Sequence, residues 1–457
     1  VGLIEQSYPD IATSKQGEVG IVWIDELSGN QYPVQFIKYD VEADSFYGKI
    51  TVCNEYLKPD EWRLNAEIVY DTSGHPIILW DRVYTLEGYP WTVRRMSRSY
   101  DYGASFTPPY FNQQRTNHSS PFITEDNDIY ICWADRDNFL GKIKCAKFAN
   151  DDTTITDIHT IDTGLLSHYY QSVLVYRDTI FAFFLGGIKD EIYYTKSING
   201  GTSFEPISLL FSDSTIKTDC NPIVINNDIY LTFNLGKSQY DRYIYFSKSE
   251  ADSFSSPIQV YNFPIEGLVL WHGLSYHPSS GFIMPFMHND SLFIKRSSNF
   301  NGIYEEKIFV GDGRGSTWGG VPQITQDDSG NIFVVSTKEF NFYRRILFNR
   351  INMLINRIYE PNIYIVNDFN LSVFPNPFNS QLTIQFELIE AGEVNFNIYN
   401  LLGERVYYSS HKKVQSGKNT FYWKGKDRQG NSLPSGMYFI HFKSENIQKS
   451  IKVLYLK

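Results

Sequence analysis

No window of this chain reaches 18 uninterrupted apolar residues, so no helix of membrane-spanning length is expected. Methionine is scarce, at 5 residues in 457, whereas Tyr and Phe number 33 each and aromatics reach 16%, a bias toward strands over helices. Basic charge does not dominate: 41 Lys and Arg face 51 Asp and Glu, and the net charge of −10 argues against nucleic acid as the main partner. The four cysteines (53, 132, 145 and 220) include no CxxC pair and no His at zinc spacing. There is also no phosphate loop and no nucleotide fingerprint, so neither a metal nor a cofactor is expected. Asp151-Asp152 and Asp327-Asp328 lack the alternating ligand spacing of a calcium loop and read as solvated turns. The chain begins at Val1 without Met or an apolar leader, which fits a removed secretory signal or a truncated start.

What the sequence does contain is a repeated turn. Ser99-Tyr-Asp101-Tyr-Gly103-Ala-Ser-Phe106 recurs as Ser197-Ile-Asn199-Gly-Gly201-Thr-Ser-Phe204. In both, Asp or Asn is suited to bond forward to backbone N–H groups, Gly to take a positive φ, and the aromatic to anchor the turn on neighbouring strands. Weaker copies keep the tail at Glu42–Phe46 and Glu250–Phe254, and an outline at Ser297–Tyr304.

The turn sits inside a longer repeat. Apolar segments with an anchor at 23, 80, 133, 184, 233, 286 and 336 are spaced by 57, 53, 51, 49, 53 and 50 residues. With a strand ahead, a strand behind and a short one after the turn, each unit reads as a four-stranded antiparallel sheet. Units of roughly 40–50 residues match β-propeller blades, whose radial packing hides sheet edges. The expectation is an all-β chain with a propeller of seven blades over residues 1–366, or six if the first and last units share a blade. Cys132 and Cys145 lie on what read as adjacent strands, 129–133 and 142–147. That leaves two readings, a cross-strand disulfide in an oxidising compartment or two half-buried thiols.

Composition breaks near residue 368. From Phe369 onward 11 Lys and Arg face 6 Asp and Glu, a net of +5, while the remainder holds 30 against 45, a net of −15. Residues 367–457 carry clean alternation at Leu382, Ile384, Phe386 and Leu388, then short strands at 394–399, 419–423, 437–442 and 451–456, and read as a small Ig-like β-sandwich. The prolines at 375 and 377 exclude a central strand there.

The turn resembles the Asp box, or bacterial neuraminidase repeat, of sialidase-like propellers, with Ser99, Asp101, Gly103, Phe106, Ser197, Asn199, Gly201 and Phe204 as its structural residues. That resemblance covers about residues 5–360 and implies a fold rather than an activity. The tail resembles the type A C-terminal sorting domain of the type IX secretion system. It does so through Phe374-Pro375-Asn376-Pro377-Phe378-Asn379, Asn400-Leu-Leu-Gly403-Glu-Arg405, Trp423–Asp427, Leu433-Pro434-Ser-Gly436-Met-Tyr438 and the basic end Lys452–Lys457. This implies export across the outer membrane of a Bacteroidetes-type bacterium by that machinery, acting through residues 369–457. Release or cell-surface attachment would follow.

A propeller's usual ligand site is the mouth of its channel. Residues entering the first strand of each unit ring such a mouth: Tyr8, Asp10, Arg63, Asn65, Asn117, His118, His168, Tyr169, Tyr170, Gln171, Asp219, Asn221, Trp271, His272 and Trp318. Aromatic and polar side chains of this kind suit stacking on sugars and bonding their hydroxyls; the competing reading is a self-satisfied plug. Sialidase activity is not expected, because the family's Arg-Ile-Pro tripeptide is absent and nothing ties Arg63, Arg115 and Arg242 together. Arg115, His118, His168, Tyr169 and Tyr170 are the candidates if the chain eliminates uronic-acid polysaccharides with a His/Tyr pair. The expectation is a secreted or surface-bound propeller that holds extracellular glycan or protein partners without catalysis. The alternatives are a polysaccharide lyase or glycosidase, and a structural adhesion or envelope protein.

Overall fold

The computed structural model describes residues 5–457 apart from short segments, the longest being 112–120, 149–154, 262–268, 298–307, 313–321 and 365–370. Every described element is a strand. The chain divides into two compact units, Val1–Glu360 and Pro361–Lys457.

Among the described residues, seven antiparallel sheets follow one another along the chain, spanning residues 5–53, 62–111, 121–166, 168–211, 216–261, 269–312 and 323–364, the last strand running just past the unit boundary. All seven anchor segments fall in the strand that is second in the ladder order of a separate sheet, for example Val19–Glu26, Pro76–Leu86 and Asn331–Phe340. These strands are apolar without alternation because both of their faces are covered; Val19–Ile24 are all buried.

The faces are covered by the neighbouring sheets. Val22, Ile24 and Phe36 of the first sheet share a core with Ile68, Ile78 and Trp80 of the second. The second sheet joins the third through Leu79, Met96, Ile131 and Trp133, and the third joins the fourth through Ile143, Ile161, Val173 and Phe184. Phe183 and Leu231 lie in the core between fourth and fifth, and Tyr230 meets Phe282 of the sixth at 5.0 Å. Ile283 and Ile294 pack with Ile332 and Val334 of the seventh. The seventh returns to the first, where Phe348 lies 4.6 Å from Tyr39. Among the described residues no strand is shared between the first and last sheets, and no hydrogen-bonded ladder joins one sheet to the next.

The clip turns work as the sequence suggests. Ser105 N–H donates to the Asp101 carboxylate at 2.8 Å, and Gly103 N–H to Ser99 Oγ at 2.7 Å. The second copy repeats both bonds, Ser203 N–H to Asn199 Oδ1 at 3.0 Å and Gly201 N–H to Ser197 Oγ at 2.9 Å. The aromatic closing each clip crosses to the preceding sheet: Phe106 onto Phe36, Phe254 onto Phe183, and Phe204 into the core of the third and fourth. In the first sheet Phe46 makes the same contact with Phe348 of the seventh.

In the second unit a three-stranded sheet (Ser372–Phe374, Leu382–Leu388, Gly417–Trp423) faces a four-stranded one (Gly392–Asn400, Arg405–Val414, Gly436–Ser444, Ile447–Tyr455) across a single core. Leu382, Ile384, Phe386 and Leu388 all point into it. The strand Arg405–Val414 is an addition to the sequence reading. It is a largely exposed edge strand, so burial imposed no alternation on its residues.

Candidate functional site

The clip marks one end of each sheet. In the second sheet, Tyr70 pairs with Pro76 and Ile77 with Arg98 beside the clip, whereas Arg63 pairs with Arg82 at the far end. First strands of neighbouring sheets come together, as Glu5–Thr13 does with both Trp62–Tyr70 and Gln323–Gln326, and His168–Tyr176 with Ile216–Ile225. Among the described residues five first strands carry a β-bulge toward the end away from the clips: Ser7/Asp10, Leu64/Glu67, Tyr169/Ser172, Thr218/Cys220 and Leu270/His272. Tyr8, Asn65, Tyr170, Gln171, Asp219 and Trp271, all read from sequence as mouth residues, sit within these bulges. Tyr8 and Asn65 occupy equivalent bulge positions with φ of 51° and 49°. A bulge adds a residue, bends the strand and re-aims its side chains, which is why bulges gather at rims and sites. Repetition at one level makes this interior rim the candidate site.

Between the first two sheets the rim is held by carboxylates and arginines. Asp10 accepts the N–H of Ile68 at 2.8 Å, stitching one bulged strand to the next. Burial pushes the Asp10 carboxyl up to about 6. Arg94 is fully buried and forks to Glu67 at 2.7 Å and Asp81 at 3.0 Å, also donating to the carbonyl of Asn65 at 3.1 Å. The Asn65 amide closes the group on Asp81 at 2.9 Å. Glu67 remains about a quarter exposed, and burial, with help from Asp10 and Asp81, raises its carboxyl to about 7 against the pull of Arg94. Two carboxyls poised near neutrality thus lie on adjacent interior strands.

A second cluster lies at the extreme end of the second sheet. Arg82 pairs with Glu61 at 2.6 Å, while Glu55 sits 3.6 Å from Arg63 and 3.9 Å from Arg82. Burial lowers Arg95 to about 10 and raises the Cys53 thiol. A third cluster joins the first and last sheets: Arg344 contacts Glu5 at 2.7 Å and Glu26 at 2.8 Å, and Ser7 Oγ donates to Glu26 at 2.7 Å. Burial and the nearby Glu26 carboxylate push the Tyr8 phenol up to about 12.

Several sequence expectations change. Arg63 is not a ligand residue facing the mouth. It is 1% exposed, and its guanidinium donates to the Tyr32 and Glu55 carbonyls and to Cys53 Sγ. Asp327 is not a solvated turn residue either: it is buried and accepts N–H bonds from Ser329 and Asn331, the same turn cap that Asp71 makes. Asp25 accepts the Trp23 indole N–H at 2.7 Å, whereas Asp81, next to Trp80 in sequence, serves Arg94. Arg115, Asn117, His118, Trp318 and the Asp151-Asp152 pair lie outside the described residues, as do the side chains of His168, Tyr169, Tyr170, Asp219, Asn221, Arg242, Trp271 and His272. Sequence reading missed Arg94, Glu67, Arg82 and Arg344. The legible signal was three arginines in one ten-residue strand, Tyr89–Arg98, where solvent alone could not satisfy them.

Cys132 stands opposite Cys145 in register, Cys145 is disulfide-bonded, and Cys53 and Cys220 are buried thiols outside any disulfide. In the second unit the tail motifs form one structure. Phe378 exchanges backbone hydrogen bonds with Leu454 and Leu456, and Asn376 Oδ1 accepts Leu454 N–H, so the proline segment covers the edge of the last strand. Phe378 packs on Trp423 and Tyr455, and Tyr438 donates to the Pro434 carbonyl at 2.8 Å. Gly403, at φ 79°, closes the turn that Asn400 caps, and Gly436 opens the strand beside Tyr455.

Residues 372–456 match the family model of the secretion system C-terminal sorting domain. That domain marks the chain for export by the type IX machinery, to the cell surface or the medium. No curated protein matches the sequence. Among solved structures, an ulvan lyase described as a new polysaccharide-lyase family, bound to -[GlcA(1-4)Rha3S]-, is similar with a TM-score of 0.51 at 8% identity, over 75% of this chain and 94% of its own. A Dyadobacter fermentans protein of unknown function gives 0.46 at 11% identity over 75% and 93%. An α-L-arabinanase of Penicillium chrysogenum gives 0.49 at 10% over 66% and 96%. At 8% identity the likeness to the ulvan lyase is one of fold alone: the first unit is propeller-like.

Proposed function

We propose that the first unit is a seven-bladed propeller that binds an extracellular glycan at its bulged interior rim, without catalysis, once the tail has carried it out of the cell. The observation carrying this reading is that the described charged groups of the rim are committed to one another. Arg94 serves Glu67 and Asp81, Arg344 serves Glu5 and Glu26, and Arg82 serves Glu61. Such a lattice holds a rim in shape, and sugar contact then falls to the aromatic and amide residues of the other bulged strands, His168, Tyr169, Asn221, Trp271 and His272 with Asn117, His118 and Trp318 beside them. Protein partners at the same rim are the variant of this reading.

A second reading, a polysaccharide-degrading enzyme, is favoured by one observation: the Asp10 and Glu67 carboxyls lie near the pH range useful for proton transfer. The fold shared with an ulvan lyase is compatible with either. The experiment is a polysaccharide panel presented to the full chain, with binding by calorimetry and turnover by reducing ends and unsaturated-uronate absorbance. Binding without turnover that is lost in Trp271→Ala/Tyr169→Ala supports the first reading. Turnover lost in Glu67→Gln or His168→Ala would replace it with the second, and neither binding nor turnover would leave the structural adhesion protein.

A further inference from the structure

The tail motifs are spread over eighty residues, yet the strand registers bring them to one end of the sandwich. Asn400 pairs with Tyr438, Tyr438 with Val453, and Gly436 with Tyr455, so the Asn400–Glu404 turn, the Pro434–Gly436 entry and the C-terminus share one end. Leu382 pairs with Trp423, and Phe378 touches both Trp423 and Tyr455, which adds the Trp423–Asp427 segment and the Pro375–Phe378 segment to it. At the opposite end, where the strands finish at Leu388, Val414 and Ser444, no motif occurs.

Exposure divides the same way. The large apolar side chains exposed among the described residues of this unit are Phe374, Leu401, Leu402, Tyr422, Met437, Phe439 and Leu456. Each belongs to the motif end by its register or its neighbours. Leu402 is 83% exposed and Leu401 62%, at the tip of a turn that Asn400 fixes by accepting the N–H groups of Leu402 and Glu404. Rigid presentation of two leucines to water costs hydration and gives the fold nothing in return. Lys424, Lys426 and Lys457 are exposed within the motif segments of this end, and Arg405 and Arg428 stack over Tyr408 at 5.1 and 4.1 Å. The acidic groups present are absorbed locally: Glu404 accepts from Asn400, and Asp427 from Asn431.

We infer that this end of the sandwich is the surface the export machinery reads, and that its partner is a protein offering an apolar pocket for Leu401 and Leu402 with an acidic rim for the surrounding lysines and arginines. The motifs then act as one composite face, with the buried members (Phe378, Trp423, Tyr438, Tyr455) holding the exposed members in position. The inference rests on the sorting role of residues 372–456.

The test is export of the full chain in a bacterium with type IX secretion, comparing surface and medium with periplasm. Leu402→Asp, and separately Lys424→Glu/Lys426→Glu, should lose surface display while retaining wild-type melting and protease resistance, because these side chains are exposed. Lys412→Glu/Lys418→Glu, at the opposite end, should export normally. Normal display of the motif-end variants, or equal loss from both ends, overturns the inference. A motif-end variant that exports normally but no longer binds anionic vesicles, or no longer self-associates, overturns it in favour of a membrane or a second copy. Deleting residues 369–457 separates the two levels: if that truncation still reaches the surface, the sorting role itself fails.

Discussion

The guanidinium of Arg94 meets the carboxylate of Asp81 at 3.0 Å where neither side chain exposes more than 1% of its surface. Its other terminal nitrogen reaches past that strand to Glu67 on the next one, at 2.7 Å. Removing one partner of such a pair leaves an uncompensated buried charge. Arg94→Met should destabilise the first unit by about 3–5 kcal/mol in denaturant unfolding. A loss within the range of surface substitutions would mean that water reaches the cluster.

Glu67 gives the rim a pH dependence of defined sign. Its carboxyl titrates near 4.5 unfolded and about 7 folded, and Asp10 near 3.8 and about 6. A raised carboxyl favours the folded state when protonated, so this contribution is full at low pH and is lost as pH rises through these windows. Glu67→Gln, which keeps the shape without the charge, should therefore gain melting temperature relative to wild type between pH 5 and 8. The same comparison for Asp10→Asn should show its change at lower pH. A difference that does not move with pH would contradict the assignment.

Glycine substitutions in the clips should rank by what a Cβ would meet. At Gly103 the φ is +83° and the new carbon would stand 2.6 Å from the Phe36 ring of the preceding sheet. At Gly201 the φ is +88° but the nearest atom is 3.4 Å away, and at Gly200 nothing lies within 4 Å. Gly103→Ala should cost well over about 1 kcal/mol, Gly201→Ala less, and Gly200→Ala least, by thermal melts. Equal costs would show that backbone strain alone decides.

Thiol counting checks the disulfide. Of four cysteines, the denatured but unreduced chain should release two reactive thiols, and peptide mapping should recover Cys145 linked to Cys132, which faces it in register. Closing so short a loop stabilises by about 3 kcal/mol in the chain-entropy account, so reduction should lower the melting point. Four reactive thiols would disprove the bond.

The period of the anchor segments, the Asp and Gly of the clips and the five tail motifs were legible because each is a local requirement written in consecutive residues. Seven apolar segments became seven second strands, since a strand covered on both faces must be apolar throughout. The role of Arg63 was not legible. Whether an arginine points at a ligand or is enclosed by the preceding sheet depends on which carbonyls, here Tyr32 and Glu55, the fold brings to it. The Arg94 group draws on two sheets, with Asp10 arriving from 58 residues away to cap Ile68. Exposure of Leu401 and Leu402, ordinary apolar letters in the sequence, is likewise a fact of the folded surface. Sequence by itself determined the repeat, the turns and the address of this protein, because periodicity and turn chemistry act between near neighbours. Tertiary structure decided which charges are buried together and which motifs share an end, because burial and long-range pairing belong to no single stretch of chain.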